Sequence, residues 1–292
     1  MSTNNPIIEH FGTEGLRRFP AVALQGSHVP EGATRTLREQ GIPVAVGPYF
    51  RAASSGDAAQ LGAFASRQQL QAPPGPLSRW LRLGTDGGAD LCVRPDGAVQ
   101  AVFLSEVLPD MYVSASVDLF SEALVLLDRA VSRTAVADGL QGAVPVLHSL
   151  MTGLQELDPL AFAERESWWP RVLDDVRHTL NFPFSASFEF ELAGGRKEVV
   201  TDSTGIGRLH PEERIWQRLS SSGVRPEQVT RVYCELEPCF MPGHYCAVWM
   251  QHTFPRAQFT HSFGYGASAE SREEGLKEAI IFAARQARRR QG

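Results

Sequence analysis

The sequence has few cysteines. Four occur among 292 residues, and three of them, Cys234, Cys239 and Cys246, lie within thirteen positions. A secreted disulfide scaffold uses more cysteines and spreads them along the chain. This scarcity predicts a reducing, cytoplasmic setting and a local metal site. A disulfide between two of the three clustered cysteines is the alternative.

Signals for a membrane or for secretion are also missing. No run of about 18 apolar residues occurs, so we expect no membrane-spanning helix. The opening residues, MSTNNPIIEHFG, lack the basic and apolar regions of a signal peptide. We therefore expect a cytoplasmic protein with no membrane association.

A strongly basic surface is lacking as well. The net charge is −5, and it is uneven: residues 1–182 hold 14 Lys and Arg against 20 Asp and Glu, a net −6, whereas residues 183–292 reach +1. This acidity disfavours binding to duplex DNA by charge alone, but it leaves room for a site that takes one base or nucleotide. The acidic first part predicts a partner protein with a basic surface.

The first part of the chain has the pattern of a mixed α+β domain over residues 1–180. EGATRTLREQGIP predicts a short helix, and alternating residues around DGG and PDG turns predict a meander of antiparallel strands. SVDLFSEALVLLDRAVSRTA and ESWWPRVLDDVRHTL have helical periodicity. We predict that Trp168 and Trp169 lie in the core, with a binding role as the alternative.

The second part, residues 181–292, alternates strands and helices. SASFEFEL, KEVVTD, VTRVYCEL and QFTHSF are predicted strands, and PEERIWQRLSS, YCAVWMQHTF and SREEGLKEAIIFAARQARRR are predicted helices. This order predicts a sheet covered by helices. The basic end, RQARRRQG, is predicted to be solvated, with contact to phosphate as the alternative.

Two short segments of the second part gather metal-ligating residue types. In HPEE, Pro211 suits the first position of a helix, so His210 and Glu212 are held two residues apart at a rigid helix start. Taken alone, this pattern is typical of an ordinary helix N-terminus. In PCFMPGHYC, Cys239 and Cys246 would lie ~10 Å apart on a continuous helix, too far for one metal. The Pro-Gly pair between them predicts a loop, so that Cys239 follows a strand and Cys246 begins a helix.

The first part resembles a known family. In order, GIPVAVGPYF, WLRLGTDGGADLCV, YVSASVDLFSEALVLL and DPLAFAERESWWPRVLDDVRHTL are similar to the pattern of the fourth group of the SUKH superfamily, from Leu16 to Leu180. The resemblance implies an α+β fold that binds a protein toxin and neutralises it. It implies no catalytic residues.

The second part resembles the zinc-dependent cytidine deaminase-like superfamily, in particular its bacterial toxin-type members. The resemblance rests on His-x-Glu followed by Pro-Cys-x6-Cys after a strand. It implies an α/β/α fold, Zn²⁺ held by His210, Cys239 and Cys246 with a fourth position open, and Glu212 as the proton shuttle. Two departures are the spacing between the cysteines, longer than the common x2, and a helix where the superfamily has a fifth strand.

Together the two resemblances imply a hydrolytic deaminase fused to an immunity module in a bacterial conflict or defence system. The substrate would be a nucleobase in a nucleotide or in single-stranded nucleic acid. One alternative is a non-catalytic toxin-binding immunity protein whose degenerate deaminase domain keeps zinc for folding. Another is a nucleotide-salvage deaminase with an unrelated first domain.

Several further side chains are candidates for lesser roles. Contact with substrate is expected from the hydroxyls of a loop and from three aromatic rings, with the core as the alternative for the rings: Ser203, Thr204, Trp249, Phe263 and Tyr265. Among other possible ligands, we expect Cys234 to be buried and inert and His244 to be only an alternative ligand. Glu237 is expected to be structural or solvated, and His261 to lie in the core or a pocket wall. Glu213 points ~100° from Glu212 on a helix, so its loss is expected to matter little.

Overall fold

The computed structural model describes residues 5–106, 108–181, 183–205 and 208–291. The chain divides into two compact units, Met1–Asp174 and Asp175–Gly292. This division falls earlier than the predicted boundary at residue 180 and lies inside a helix. Within the described ranges, no helix combines the length and the apolarity that crossing a bilayer requires.

The first unit combines helices with an antiparallel sheet, as an α+β pattern predicts. The sheet has the strand order β3–β4–β5–β6–β7–β8, and β1 and β2 pair separately. The strands are β1 (Leu16–Arg17), β2 (Ile42–Pro43), β3 (Ala45–Val46), β4 (Phe50–Ala52), β5 (Leu81–Thr85), β6 (Asp90–Val93), β7 (Val99–Val102) and β8 (Met111–Ser114). The helices are α1 (Pro6–Phe11), α2 (Ala21–Leu24), α3 (Glu31–Glu39), α4 (Leu61–Arg67), α5 (Val117–Ala135), α6 (Gly139–Leu157) and α7 (Trp168–Asn181), and α7 spans the division.

The predicted turns and core of the first unit are confirmed. Gly87 and Gly97 have φ of 97° and 91°, which the DGG and PDG turns require of a residue without a Cβ. Trp168 and Trp169 are buried, and their rings meet edge to face at 4.7 Å. The Trp168 Nε1–H donates to Asp86 Oδ2 at 2.8 Å, so the buried indole has a hydrogen-bond acceptor.

Helix α6 had no counterpart among the predicted elements. Its sequence contains Pro145, which lacks the N–H that an interior helical position donates, and glycines that weaken helix propensity. Packing overrides these local signals, because α6 packs against α5 and buries one of its faces. The buried residues of that face are Ala143, Val146, Leu150 and Leu154.

The second unit has the predicted order of elements. It runs β9 (Ser185–Glu191), β10 (Lys197–Ser203), α8 (Pro211–Ser221), β11 (Val229–Leu236), α9 (Cys246–Thr253), β12 (Gln258–Phe263) and α10 (Ala269–Gln291). The sheet order is β10–β9–β11–β12, in which β9 is antiparallel to β10 and β11, and β11 is parallel to β12. A parallel pair requires a crossover, and the segment that contains α9 supplies it.

The core of this unit lies on one face of the sheet. Alternate residues of β9, namely Ala186, Phe188 and Phe190, are buried together with Val232 of the neighbouring strand. Ile215 of α8 joins this cluster, which fixes α8 against β9 and β10. The first turn of α8 is thereby held near the end of β11, where the next loop begins.

Candidate metal centre

His210 is the N-cap residue of α8, with Pro211 at the first helical position as predicted. Its ring lies between the two cysteines of the following loop. The Nδ1 atom is 3.5 Å from Cys239 Sγ and 3.5 Å from Cys246 Sγ. The helix start and the loop therefore present one imidazole nitrogen and two sulfurs to the same point.

The loop between the two cysteines turns back on itself, as its Pro-Gly pair predicts. Gly243 has a φ of 85° and Tyr245 a φ of 42°, both in the left-handed region. For Tyr245 this conformation costs roughly 1–2 kcal/mol, and its ring is almost fully buried, which holds it in place. The Ala247 N–H then donates to the Cys239 carbonyl at 3.0 Å, so Cys246 begins α9 directly beside Cys239.

The donor set fits zinc. The ligand atoms of His210, Cys239 and Cys246 all lie within 4.8 Å of one another, and both thiols are buried. All four cysteines are free, so the two sulfurs are available to a metal and not joined as a disulfide. Two thiolates and one imidazole are a ligand set that binds zinc and leaves a fourth position open.

The charges around the sulfurs favour a thiolate. Burial alone would raise the pKa of Cys239, but the hydrogen bond from Cys246 and the charge of His210 outweigh it and bring that pKa well below its usual range. Burial and the neighbouring Cys239 thiolate raise the pKa of Cys246 well above its usual range. One thiolate is thus already favoured before a metal binds, and a thiolate is the form that metals bind.

A second group of side chains lies on the side of the His210 ring that faces away from the two sulfurs. Asp175 Oδ1 is 3.1 Å from His210 Nε2, and Asp175 Oδ2 is 3.2 Å from His244 Nε2. The two imidazoles stack with centroids 3.7 Å apart and planes 5° apart. Glu213 Oε2 lies 2.6 Å from His244 Nδ1 and accepts from the His210 backbone N–H at 2.9 Å. Asp175, His210 and His244 also lie close enough to form a second group of possible ligands.

Sequence reasoning missed most of this second group. Glu213 was expected to matter little, yet it bonds to both histidines, and the His-x-x-Glu spacing of a capping box is the signal that could have shown it. His244 was considered only as a substitute ligand, and the structure places it against Asp175 and Glu213 rather than against the sulfurs. Asp175 lies far away in sequence on α7, and no local pattern marks it.

Glu212 is buried and lines the same pocket as His210 and Cys239. Burial raises the pKa of its carboxyl group above the ordinary value, and this outweighs the attraction of His210 and a hydrogen bond with the Cys234 thiol. Cys234 itself is buried on β11 as expected, although its contact with Glu212 was not anticipated. The buried surroundings of Glu212 therefore favour its protonated form more than water favours that of an exposed glutamate.

A pocket opens onto Glu212, His210 and Cys239. It contains ≈ 490 Å³ of empty space including its solvent-filled mouth, and the centre of a water molecule fits within ≈ 50 Å³ of it. Its lining brings the candidate proton shuttle together with two of the three candidate ligands. Its lining residues are Asp175, His178, Thr179, Phe184, Ser185, Thr204, His210, Pro211, Glu212, Leu236, Glu237, Cys239 and Tyr265.

The expected substrate contacts fall into two groups. Thr204 and Tyr265 line the pocket. Among the residues that the structure describes, Ser203, Trp249 and Phe263 do not line it. Both rings are partly buried against the core of the unit, which is close to the alternative weighed for them: Trp249 lies 6.0 Å from Phe254 and Phe263 lies 5.6 Å from Phe282. The Ser203 carbonyl accepts from Arg214 at 3.0 Å.

Another part of the pocket lining is built around Tyr265. Its backbone N–H donates to Glu237 at 2.9 Å, which gives Glu237 the expected structural role, and its hydroxyl bonds to His178 Nδ1. Burial, with the nearby charge of Arg177, lowers the pKa of His178 to about 3, so this imidazole is neutral near pH 7. The expectation for His261 was wrong, because it is exposed on the edge strand β12.

Comparison with known families gives two matches. Residues 4–175 match the model of the SUKH-4 immunity protein, and residues 185–280 match the model of the Xanthomonas-like deaminase. No curated protein and no solved structure matches the chain. The two matches follow one another in the order that the sequence patterns predict, which confirms the fusion of a SUKH domain with a deaminase domain.

Proposed function

The chain belongs to the SUKH-4 immunity protein family, and because it also carries a deaminase domain, we propose that it is a zinc-dependent hydrolytic deaminase of a nucleobase. One observation carries the proposal. His210 Nδ1 and the sulfurs of Cys239 and Cys246 converge within 4.8 Å, and the buried carboxyl group of Glu212 lines the same pocket. That arrangement combines a metal-ligand set with a proton acceptor.

The proposed metal ligands are His210, Cys239 and Cys246. When bound there, zinc would supply the Lewis acidity that lets a water molecule ionise near neutral pH. The protein's own part is to hold two sulfurs and one nitrogen rigidly, with the helix start and the returning loop as fixed supports. His244 is not a ligand in this proposal, because its ring nitrogens face two carboxylates.

Glu212 is the proposed proton shuttle. Hydrolytic deamination adds water at the amine-bearing ring carbon and releases ammonia, so protons must move from the water to a ring nitrogen and to the leaving amino group. The Glu212 carboxylate would take one proton from the water and give it to the ring nitrogen; it would then carry the proton of the added hydroxyl group to the amino group, which leaves as ammonia while the ring carbon becomes a carbonyl. Its burial beside His210 and Cys239 limits its contact with bulk water.

The substrate is proposed to be a base in a nucleotide or in single-stranded nucleic acid. The base would enter the pocket beside Glu212, where Tyr265 would offer a stacking surface and Thr204 a hydroxyl group. A base inside a duplex could not reach such a recessed site unless it left the stack. The net charge of +1 for residues 183–292 gives this part none of the acidic excess that would repel phosphate.

We also propose a fold for the deaminase part of the chain and a biological role for the first part. The match to the deaminase model and the parallel pair β11–β12 support the proposal of an α/β/α deaminase-like fold for residues 181–292. Residues 1–180 are proposed to be the immunity module, which would bind a basic toxin protein through its net charge of −6 in a bacterial conflict or defence system of the cytoplasm. Binding by charge predicts an association rate that falls as the salt concentration rises.

Zinc content and ammonia release, measured on one purified preparation, test the proposal. We expect about one zinc per chain and ammonia from at least one member of a panel of nucleosides, nucleotides and single-stranded oligonucleotides. Zinc without ammonia release across the whole panel would favour the alternative, a toxin-binding protein with a zinc-stabilised domain that performs no chemistry. Protein that retains no zinc would refute the metal centre itself.

A further inference from the structure

We infer that Asp175 is a positioning residue of the metal centre, although it lies ahead of the segment that matches the deaminase model. Through its bond to His210 Nε2 it fixes the ring orientation and the tautomer that direct Nδ1 at Cys239 and Cys246. This inference rests on the proposed zinc site and names a residue outside the motif that suggested it.

The hydrogen-bond chemistry of Asp175 sets the tautomer. Its side chain is only 3% exposed, and its two oxygens lie 3.1 Å and 3.2 Å from the Nε2 atoms of His210 and His244. An ionised carboxylate can only accept hydrogen bonds, so both Nε2 atoms must donate. Because Nε2 keeps its proton towards Asp175, a metal can replace the proton on Nδ1 and bind at the point that the two sulfurs also face.

His244 and Glu213 hold Asp175 in place. The His244 ring lies parallel to the His210 ring, so a single carboxylate meets both Nε2 atoms. On the other side of its ring, His244 Nδ1 bonds to Glu213 Oε2. This oxygen also accepts from the backbone N–H of His210. The contacts form a closed circuit that joins α7, the cysteine loop and the first turn of α8. A ring in this circuit cannot rotate without breaking at least one bond.

A consequence follows for where the deaminase part of the chain begins. Residues 185–280 match the deaminase model and contain the three proposed ligands and Glu212, but not Asp175. The second compact unit, by contrast, begins at Asp175. The metal centre therefore depends on a carboxylate on α7 that a deaminase motif alone would not include.

The test compares Asp175→Asn with Asp174→Asn in the full-length protein. Both variants remove one negative charge from neighbouring positions of α7, and Asp175 is the one of the two whose carboxylate is known to bond to His210. The measurement is zinc affinity by competition with a chromophoric chelator. We expect roughly 10–100-fold weaker binding for Asp175→Asn, the usual effect of losing such a carboxylate, and near-normal binding for Asp174→Asn.

A second readout separates positioning from general stability. Long-range ¹H–¹⁵N spectra of the histidine-labelled, zinc-loaded protein report which ring nitrogen of His210 carries the proton, and we expect Nε2. If Asp175→Asn does not fold, Asp175→Glu keeps the acceptor and the charge, and we expect its zinc affinity to lie between those of wild type and a variant without the carboxylate.

The outcomes keep this inference apart from the proposed function. Wild-type protein that binds no zinc would refute the metal centre. Wild type that binds zinc tightly while Asp175→Asn and Asp174→Asn bind it equally would refute only the role of Asp175. Proton signal on Nδ1 of His210 in the zinc-loaded protein would contradict the tautomer assigned here.

Discussion

Both units of the protein bury carboxylates, but the partners of those carboxylates differ. In the first unit, Asp86 accepts from the N–H groups of Gly88 and Ala89 and from Trp168, and Asp158 accepts from Ser114 and Ala115. In the second unit, Asp175 meets two imidazoles and Glu212 lies beside a thiol and His210. Groups that do not titrate near pH 7 surround the first pair, and groups that titrate or bind metal surround the second.

The difference separates structural burial from functional burial. A buried carboxylate whose donors are backbone amides, a hydroxyl or an indole is satisfied and has no proton to exchange. A buried carboxylate beside histidine and cysteine can move a proton or orient a ligand. Both groups of possible metal ligands found in the described part of the chain belong to the second unit. The predictions below test this contrast.

The largest effect is expected from Glu212→Gln. Glutamine has nearly the same shape and can stay in the first turn of α8, but it cannot accept a proton from water and pass it on. Deamination should fall by about 10²–10⁴-fold while zinc content and the folded structure remain. Ammonia release and metal analysis on the same preparation check this. A variant that deaminates at the wild-type rate would show that Glu212 is not the shuttle.

Trp168→Phe tests the structural role of a buried carboxylate, Asp86, in the first unit. It removes the indole N–H that bonds to Asp86 and leaves a buried carboxylate with one donor fewer. The free energy of unfolding should fall by about 1.5–3 kcal/mol, since a bond to a charged group is lost. Denaturant unfolding measures this, with Trp169→Phe as the control for shortening a buried ring. Zinc content should not change, and a loss of zinc would mean that the contrast between the units is false.

Glu213→Gln should act on metal retention and not on proton transfer. Glu213 contacts both histidines, so losing its charge loosens the circuit around His210. We expect zinc affinity to fall by about 10-fold, at the lower end for residues that support a ligand. Zinc-saturated Glu213→Gln should deaminate far faster than zinc-saturated Glu212→Gln. Equal rates for the two saturated variants would contradict the separate roles.

The last prediction concerns the pH dependence of stability and the part that His178 plays in it. Its pKa is about 3 in the folded protein against 6.5 ordinarily, so as the pH falls below 6.5 the unfolded chain takes up a proton that the folded protein does not. The stability contribution is complete above pH 6.5 and declines towards pH 3 by at most ~1.4 kcal/mol per pH unit. His178→Gln should flatten this slope in unfolding experiments between pH 7 and pH 4. An unchanged slope would contradict the buried, neutral state of His178.

The helix start at His210 and the loop that returns Cys246 to Cys239 could be predicted because each of them is encoded locally. Pro211 marks a helix start at His210, and Pro242–Gly243 marks the turn that returns Cys246 to Cys239. Each signal acts within a few residues, so no tertiary information was needed. The element order of the second unit was predictable for the same reason, since each strand and helix has a clear period.

The supporting residues could not be predicted because their contacts are tertiary. Asp175 lies on an amphipathic helix where an aspartate is unremarkable, and only packing brings it within 3.1 Å of His210. Trp249 and Phe263 were named as candidates for substrate contact, but they pack against the core. An aromatic residue near a motif suits either a core or a stacking surface, so the sequence could not distinguish the two. Helix α6 was missed because Pro145 and its glycines oppose the helix that packing stabilises.

X-ray absorption at the zinc edge of the purified full-length protein tests the central claim most directly. The account predicts one zinc per chain with two sulfur neighbours at ~2.3 Å and lighter N or O neighbours at ~2.0–2.1 Å. Cys239→Ser should lose one sulfur neighbour or the metal altogether, whereas Cys234→Ser should keep the zinc and its two sulfur neighbours. Absence of zinc, or a zinc ion with no sulfur neighbours, would contradict the assignment of His210, Cys239 and Cys246.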